Sequence, residues 1–147
     1  MTFDGEYGPS TWEWVAEQAE EYESSNGKSG NTLRDTGLPI IVMTTIGHQS
    51  GLVRKVPLMK VEHEGQYAIV ASKGGAEHHP GWYHNLMASP TVLIQDGPEP
   101  FETTVRLLSG SERDEWWERS VAAFSPYAEY KEKTDREIPL FITEIPT

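Results

Sequence analysis

Two short stretches of the chain carry residue types suited to holding an anion. The first, Gly47-His48-Gln49-Ser50-Gly51, places two glycines around a hydroxyl and is followed closely by Arg54 and Lys55. Glycines let a backbone turn sharply and present successive N–H groups, Ser50 adds a donor and the cations add charge, which together suit a phosphate or carboxylate. An ordinary hairpin with solvated cations would read the same way. The second, Ala71-Ser72-Lys73-Gly74-Gly75, sets a cation beside two glycines at the end of an extended run. There a ligand could approach the backbone closely, or the loop could simply connect two elements. Neither stretch is a nucleotide signature, since GxxxxGK[ST] and GxGxxG are both absent. GxSxG is absent too, so Ser50 and Ser72 carry no sign of a hydrolase triad. His48, His63, His78, His79 and His84 are all the histidines of the chain; no two stand at i, i+4 spacing and no nearby Asp completes a set, so no metal is expected.

These stretches lie in a region of unusual charge. The formal net charge is −11, yet between residues 47 and 85 four cations (Arg54, Lys55, Lys60, Lys73) face three acids (Glu62, Glu64, Glu77), a balance of +1 that leaves −12 for the rest. An acidic protein with one neutral-to-basic, glycine-punctuated island is most simply read as holding an anionic ligand there. The same acidity argues against nucleic acid as a partner. The absence of cysteine removes disulfides and thiolate chemistry and fits a reducing, cytoplasmic setting. The first ten residues lack the basic and apolar regions of a secretory signal, and no apolar run approaches the about 20 residues of a membrane span.

The elements that must position these loops follow from periodicity. Ser10 and Glu13 offer a capping box for a helix to about Ser24, with Trp12, Val15, Ala16, Ala19 and Tyr22 on one side and Glu13, Glu17, Glu20 and Glu21 on the other. This amphipathic helix is expected to pack on the domain rather than lie on a membrane, because its polar face has no Lys or Arg. A turn-rich connector follows at residues 24–31. Strands are expected over residues 40–46, 53–63, 66–72, 91–95, 101–109 and 138–145, with a tight turn at Glu64-Gly65. Short helices are expected over residues 80–88 and from Pro126, and a longer one opens at a second capping box, Ser111 with Asp114, turning Trp116, Trp117, Val121 and Phe124 inward. Six strands dominated by hairpins predict an α+β protein built on an antiparallel barrel, a single domain overall with an N-terminal helix and connector over 1–37 and the barrel over 38–147. Phe124, Tyr127 and Tyr130 recur every three residues along one helical side, as core or as a pocket wall; Trp82 and Tyr83 read equally as core or as a flat wall for a planar ring.

The order TTIGHQSGLVRKVPLM, then ASKGGAEHHPGWYHNLMASP, then YKEKTDREIP resembles the deazaflavin-dependent nitroreductase family of actinobacteria, which includes F420H2-dependent quinone reductases. The likeness runs from about Leu38 to Glu144. It implies a six-stranded split β-barrel like that of flavin reductases, coenzyme F420 as cofactor, and hydride transfer to a quinone, enone or nitroaromatic acceptor. FMN on the same barrel is the rival cofactor, and a non-catalytic deazaflavin-binding module the rival class. By resemblance His48, Gln49, Ser50, Gly51, Arg54 and Lys55 surround the coenzyme's phosphate and acidic tail. Val56, Pro57, Leu58 and Met59, then Ala71, Ser72, Lys73, Gly74 and Gly75, line the ring, with Trp82, Tyr83, Asn85 and Leu86 closing the side. Ser72, Tyr127 and Tyr130 match the family's substrate contacts. Phe124 stands where some nitro-activating members have another tyrosine, and Gln49 where a cation is common. The resemblance leaves the oligomeric state open, as well as a peripheral membrane role for the first helix.

Overall fold

The computed structural model describes residues 3, 5–9, 13–33, 37–72 and 79–144. Its elements run α1 (Glu13–Ser24), β1 (Ile40–Ile46), β2 (Val53–Met59), β3 (Glu62–His63), β4 (Gln66–Val70), α2 (Gly81–Ala88), β5 (Thr91–Gln95), β6 (Pro100–Leu107), α3 (Gly110–Ala123), α4 (Pro126–Lys133) and β7 (Leu140–Thr143). The strands form one antiparallel sheet in the order β2-β1-β5-β6-β7-β4-β3. The expected six strands are therefore seven, and the sheet is open rather than a closed six-stranded barrel.

The extra strand has a physical origin. Residues 53–63 read as one strand, but the Lys60 N–H donates to the Pro39 carbonyl (3.1 Å), beside β1, whereas the Val61 carbonyl accepts from the Ala68 N–H (2.9 Å), in β4. The segment changes partner between these two residues. Its halves become the two edges of the sheet, and because they are joined covalently the sheet must curl. The β3–β4 turn is tight: Glu64 (φ 52°) and Gly65 (φ 85°) both occupy the left-handed region, as a two-residue hairpin turn of matching twist requires.

Side chains alternate across a strand, and β1 is buried on both faces. Ile41 and Met43 join Ile69, Val92, Ile94, Val105, Phe141 and Leu86 of α2 in one apolar cluster. That cluster draws on five strands and a single helix, so it lies on the face toward which the sheet curls. Ile40 and Val42 face the other cluster, where α3 and α4 contribute Trp116 and Tyr127 and α1 contributes Tyr22. The acidic side of α1 is exposed, as its periodicity requires. Among the described residues no helix is long and apolar enough to cross a membrane.

The second capping box is not formed. Ser109 occupies the cap position of α3 without a side-chain bond. Glu112 is instead held by both guanidinium nitrogens of Arg106 (2.7 Å each), which draw its carboxyl below the usual range. The expected pair, Ser111 and Asp114, lies inside α3, which already starts at Gly110. Residues 10–12 of the first box lie outside the described residues.

Tyr22 fastens α1 to the sheet. Its ring is 2% exposed, and its hydroxyl accepts from the Gly97 N–H (2.7 Å) in the β5–β6 turn. Tyr22→Phe keeps the packing and strands that donor, so it is expected to lower unfolding stability by about 1–3 kcal/mol, read as a fall in the urea midpoint at unchanged m-value.

Candidate active site

The β1–β2 connection builds the first part of the site. The Gly47 N–H donates to the Leu52 carbonyl (2.8 Å) and the Gly51 N–H to the Gly47 carbonyl (2.9 Å), while Gly51 takes φ 72°. The Ser50 hydroxyl accepts from the Leu52 N–H (3.1 Å). A Cβ on Gly47 would come within 2.6 Å of that hydroxyl oxygen, so a side chain there would push the Ser50 hydroxyl off the Leu52 N–H.

Asn85 of α2 latches this turn. Its buried side-chain carbonyl accepts from the His48 N–H (2.9 Å) and from His48 Nδ1 (2.8 Å), and its amide donates to Thr45 Oγ1 (3.3 Å). An oxygen that only accepts fixes the His48 proton on Nδ1. The latch brings the turn and α2 together around a cleft of ≈ 390 Å³. It is lined by Arg54, Lys55 and Val56 of β2, by His48, Gln49 and Ser50 of the turn, and by Trp82 and Asn85 of α2.

Both cations are engaged by the N-terminal part of the chain. Arg54 Nη1 donates to the carbonyls of Gly8 (2.9 Å) and Pro9 (3.2 Å). Lys55 Nζ binds both carboxylate oxygens of Glu23 on α1 (2.6 and 2.7 Å), with the Tyr7 ring centroid 5.2 Å away. The pair is about a quarter to a third exposed, 23% at Lys55 and 31% at Glu23. The segment holding Arg54 is itself tied to the edge of β2, where the Gly8 N–H donates to the Val53 carbonyl and the Val53 N–H to that of Glu6 (2.8 Å each). The Tyr7 hydroxyl is buried here without a hydrogen-bond partner, and burial together with Glu20 and Glu23 raises its pKa.

Eight of the residues expected around a coenzyme thus line one cleft: His48, Gln49, Ser50, Arg54, Lys55, Val56, Trp82 and Asn85. Gly51 closes the same turn, and Pro57 and Leu58 continue β2 beyond it. Met59 does not line the cleft, because strand alternation sends it into the helix-facing core with Tyr22. Leu86 is buried in the cluster beneath the sheet, and Tyr83 packs on His79 and Phe141. Ala71 and Ser72 are buried at the end of β4, where Arg136 binds both of their carbonyls. Lys73, Gly74 and Gly75 lie outside the described residues.

The expected acceptor contacts do not line the cleft either. Tyr127 is 5% exposed, and its ring meets Phe124 edge-on (5.0 Å between centroids) and Tyr130 at 6.1 Å. Phe124 and Tyr127 belong to the core with Tyr130 packed half-buried against them, and burial raises the Tyr127 pKa. Sequence reasoning missed Gly8, Val15, Thr45 and Gly81, which also line the cleft, and the carboxylate of Glu23. No local motif marks them, and Glu23 lies on a helix 32 residues before Lys55 in sequence. Among the described residues no group of three or more His, Asp or Glu could hold a metal ion.

The family model described as F420H(2)-dependent quinone reductase matches residues 14–145. The chain belongs to the F420H2-dependent quinone reductase family. An F420H2-dependent quinone reductase of Mycobacterium tuberculosis is 32% identical over 124 residues, covering 82% of this chain and 83% of that one. A solved structure described as an F420-H2 dependent reductase is 55% identical, covers 72% of this chain and 94% of that chain, and superposes with a TM-score of 0.68. A second, described as a domain-swapped dimer, is 49% identical over 92% of this chain and all of that one, with a TM-score of 0.71. For this reductase family member the latch and the orphan hydroxyl give opposite expectations. Asn85→Ala leaves the His48 N–H without its acceptor and is expected to cost about 1–3 kcal/mol, whereas Tyr7→Phe removes an unpaired polar atom and is expected to be neutral or to raise the melting temperature. Thermal melts of the two variants beside the parent check both.

Proposed function

We propose that this protein transfers a hydride from reduced F420 to a quinone, with the coenzyme held in the cleft between the Gly47–Gly51 turn, β2 and α2. The observation that carries this reading is the convergence of two cations, a glycine turn with its serine hydroxyl, and a tryptophan wall on one cleft. These are the groups that an anionic, planar coenzyme needs, and the residues fit it. Arg54 and Lys55 would meet negative charge, Ser50 and the turn would donate hydrogen bonds, and Val56 and Trp82 would flank the ring. When bound, the reduced deazaflavin supplies the hydride, and its ring carbon in place of a flavin nitrogen makes it a poor donor to oxygen. The chain's task is orientation and exclusion of water: Asn85 fixes the turn against α2, and Val15 and Val56 would present apolar surface to the bound coenzyme. Ser72 and the half-buried Tyr130 remain proposed acceptor contacts, while Lys73, Gly74 and Gly75 remain a proposed part of the ring site.

Enones and nitroaromatics are proposed as further acceptors. The curl of the sheet, with one chain segment supplying both edges, supports its reading as the split barrel of flavin reductases, and a cytoplasmic setting is proposed with it. The direct test mixes the protein with reduced F420 and a quinone. The visible absorbance of the oxidised coenzyme should return at a rate proportional to enzyme, and no return would defeat the reading.

The Glu23 carboxylate occupies Lys55 in the described structure, so an anionic ligand must compete with it. Glu23→Gln is expected to tighten F420 binding by about 0.5–1 kcal/mol, the scale of a partly exposed ion pair, and to do so less at high salt. Lys55→Ala should weaken binding. Equilibrium titrations at two ionic strengths measure both.

A further inference from the structure

Arg136 lies between α4 and β7, more than fifty residues from the cleft in sequence, yet its guanidinium joins the end of β4 to the segment that leads into α2, whose Gly81 and Trp82 line the cleft. Nη2 donates to the Ser72 carbonyl (2.7 Å), and Nη1 to the Ala71 carbonyl (3.2 Å), both at the end of β4. Nη1 also lies 3.0 Å from His79 Nδ1, just before α2. A guanidinium has no acceptor, so His79 must accept through Nδ1 and carry its proton on Nε2. The His79 ring in turn stacks on Tyr83 of α2, with centroids 4.1 Å apart and planes inclined by 37°.

The two ends of α2 are secured differently. Its second half is anchored by buried Leu86 and by the Asn85 latch to the turn. Its first half, which brings Gly81 and Trp82 to the cleft, starts at Pro80 with no side-chain cap bond. Among the described residues Arg136 ties this start to the sheet through His79, continued by the stack on Tyr83, which itself packs against Phe141 of β7 (5.9 Å). A planar fork suits two carbonyls and an imidazole at once, whereas a lysine ammonium could not hold all three in one plane.

We propose that Arg136 is a positioning residue: it fixes the start of α2 against the end of β4, and so sets where Trp82 stands in the cleft. The consequence for coenzyme binding rests on the function proposed above; the clamp itself does not. Hydrogen exchange of the full chain, in the parent, Arg136→Gln and Arg136→Lys, tests the clamp without coenzyme. Loss of a charged, forked contact at one end of a short helix predicts about tenfold faster exchange at the amides of residues 83–86 in Arg136→Gln, unchanged exchange at residues 42–44 of β1, and intermediate values in Arg136→Lys. Titration with oxidised F420 should then show a Kd raised about tenfold in Arg136→Gln and partly restored in Arg136→Lys. Equal acceleration in α2 and β1 would reveal a merely structural residue and overturn the proposal, as would unchanged exchange in α2. Loosened α2 with parental F420 affinity would overturn the link from Arg136 to Trp82 and the cleft. A parent chain that fails to bind F420 would defeat the function proposed above, while the exchange comparison would still decide whether Arg136 is a clamp.

Discussion

The partner change at Lys60 and Val61 is the constraint on which the architecture depends. One extended segment bonds to β1 up to Lys60 and to β4 from Val61 onward, so the two edges of a seven-stranded sheet are two halves of the same stretch of chain. No flat sheet can satisfy that connection, because antiparallel neighbours stand about 4.8 Å apart and five strands separate the edges. The sheet curls, and the curl creates an inner face that five strands fill with apolar side chains. It also leaves the β1–β2 turn projecting at one end, where α2 comes down to meet it through Asn85.

Electrostatics sets the character of that end. An acidic chain cannot leave Arg54 and Lys55 uncompensated beside so many carboxylates, and the described structure pairs them at once, Arg54 with two backbone carbonyls and Lys55 with Glu23. Each partner comes from the first 24 residues. The N-terminal segment and α1 therefore border the cleft, although in sequence they stand apart from every motif. A partly exposed pair of this kind is worth little to folding, which makes Lys55 available to a more strongly charged ligand.

Most elements were legible in the sequence because their signals were local. The β-branched run at residues 40–46, the positive-φ turn at Glu64 and Gly65, and Pro126 at a helix start all lie where periodicity and turn chemistry place them. The composition of the cleft was legible for the same reason, since the Gly47–Gly51 turn and its two cations are contiguous. What was not legible was set by partners distant in sequence. The break at Lys60 depends on which strand lies alongside, and the Glu112 side chain is claimed by Arg106 of the neighbouring strand. Tyr127 is core because Phe124 and Tyr130 fold back upon it in space, which a three-residue spacing alone cannot decide against a pocket wall.

The proposed function requires that this cleft hold F420 in preference to FMN. Side-by-side equilibrium titration of the purified protein with oxidised F420 and with FMN tests it most directly, because it asks only what the cleft holds. Tighter binding of F420, weakened by salt, is the predicted result. Tighter binding of FMN, with F420 failing to compete for the same site, would contradict it.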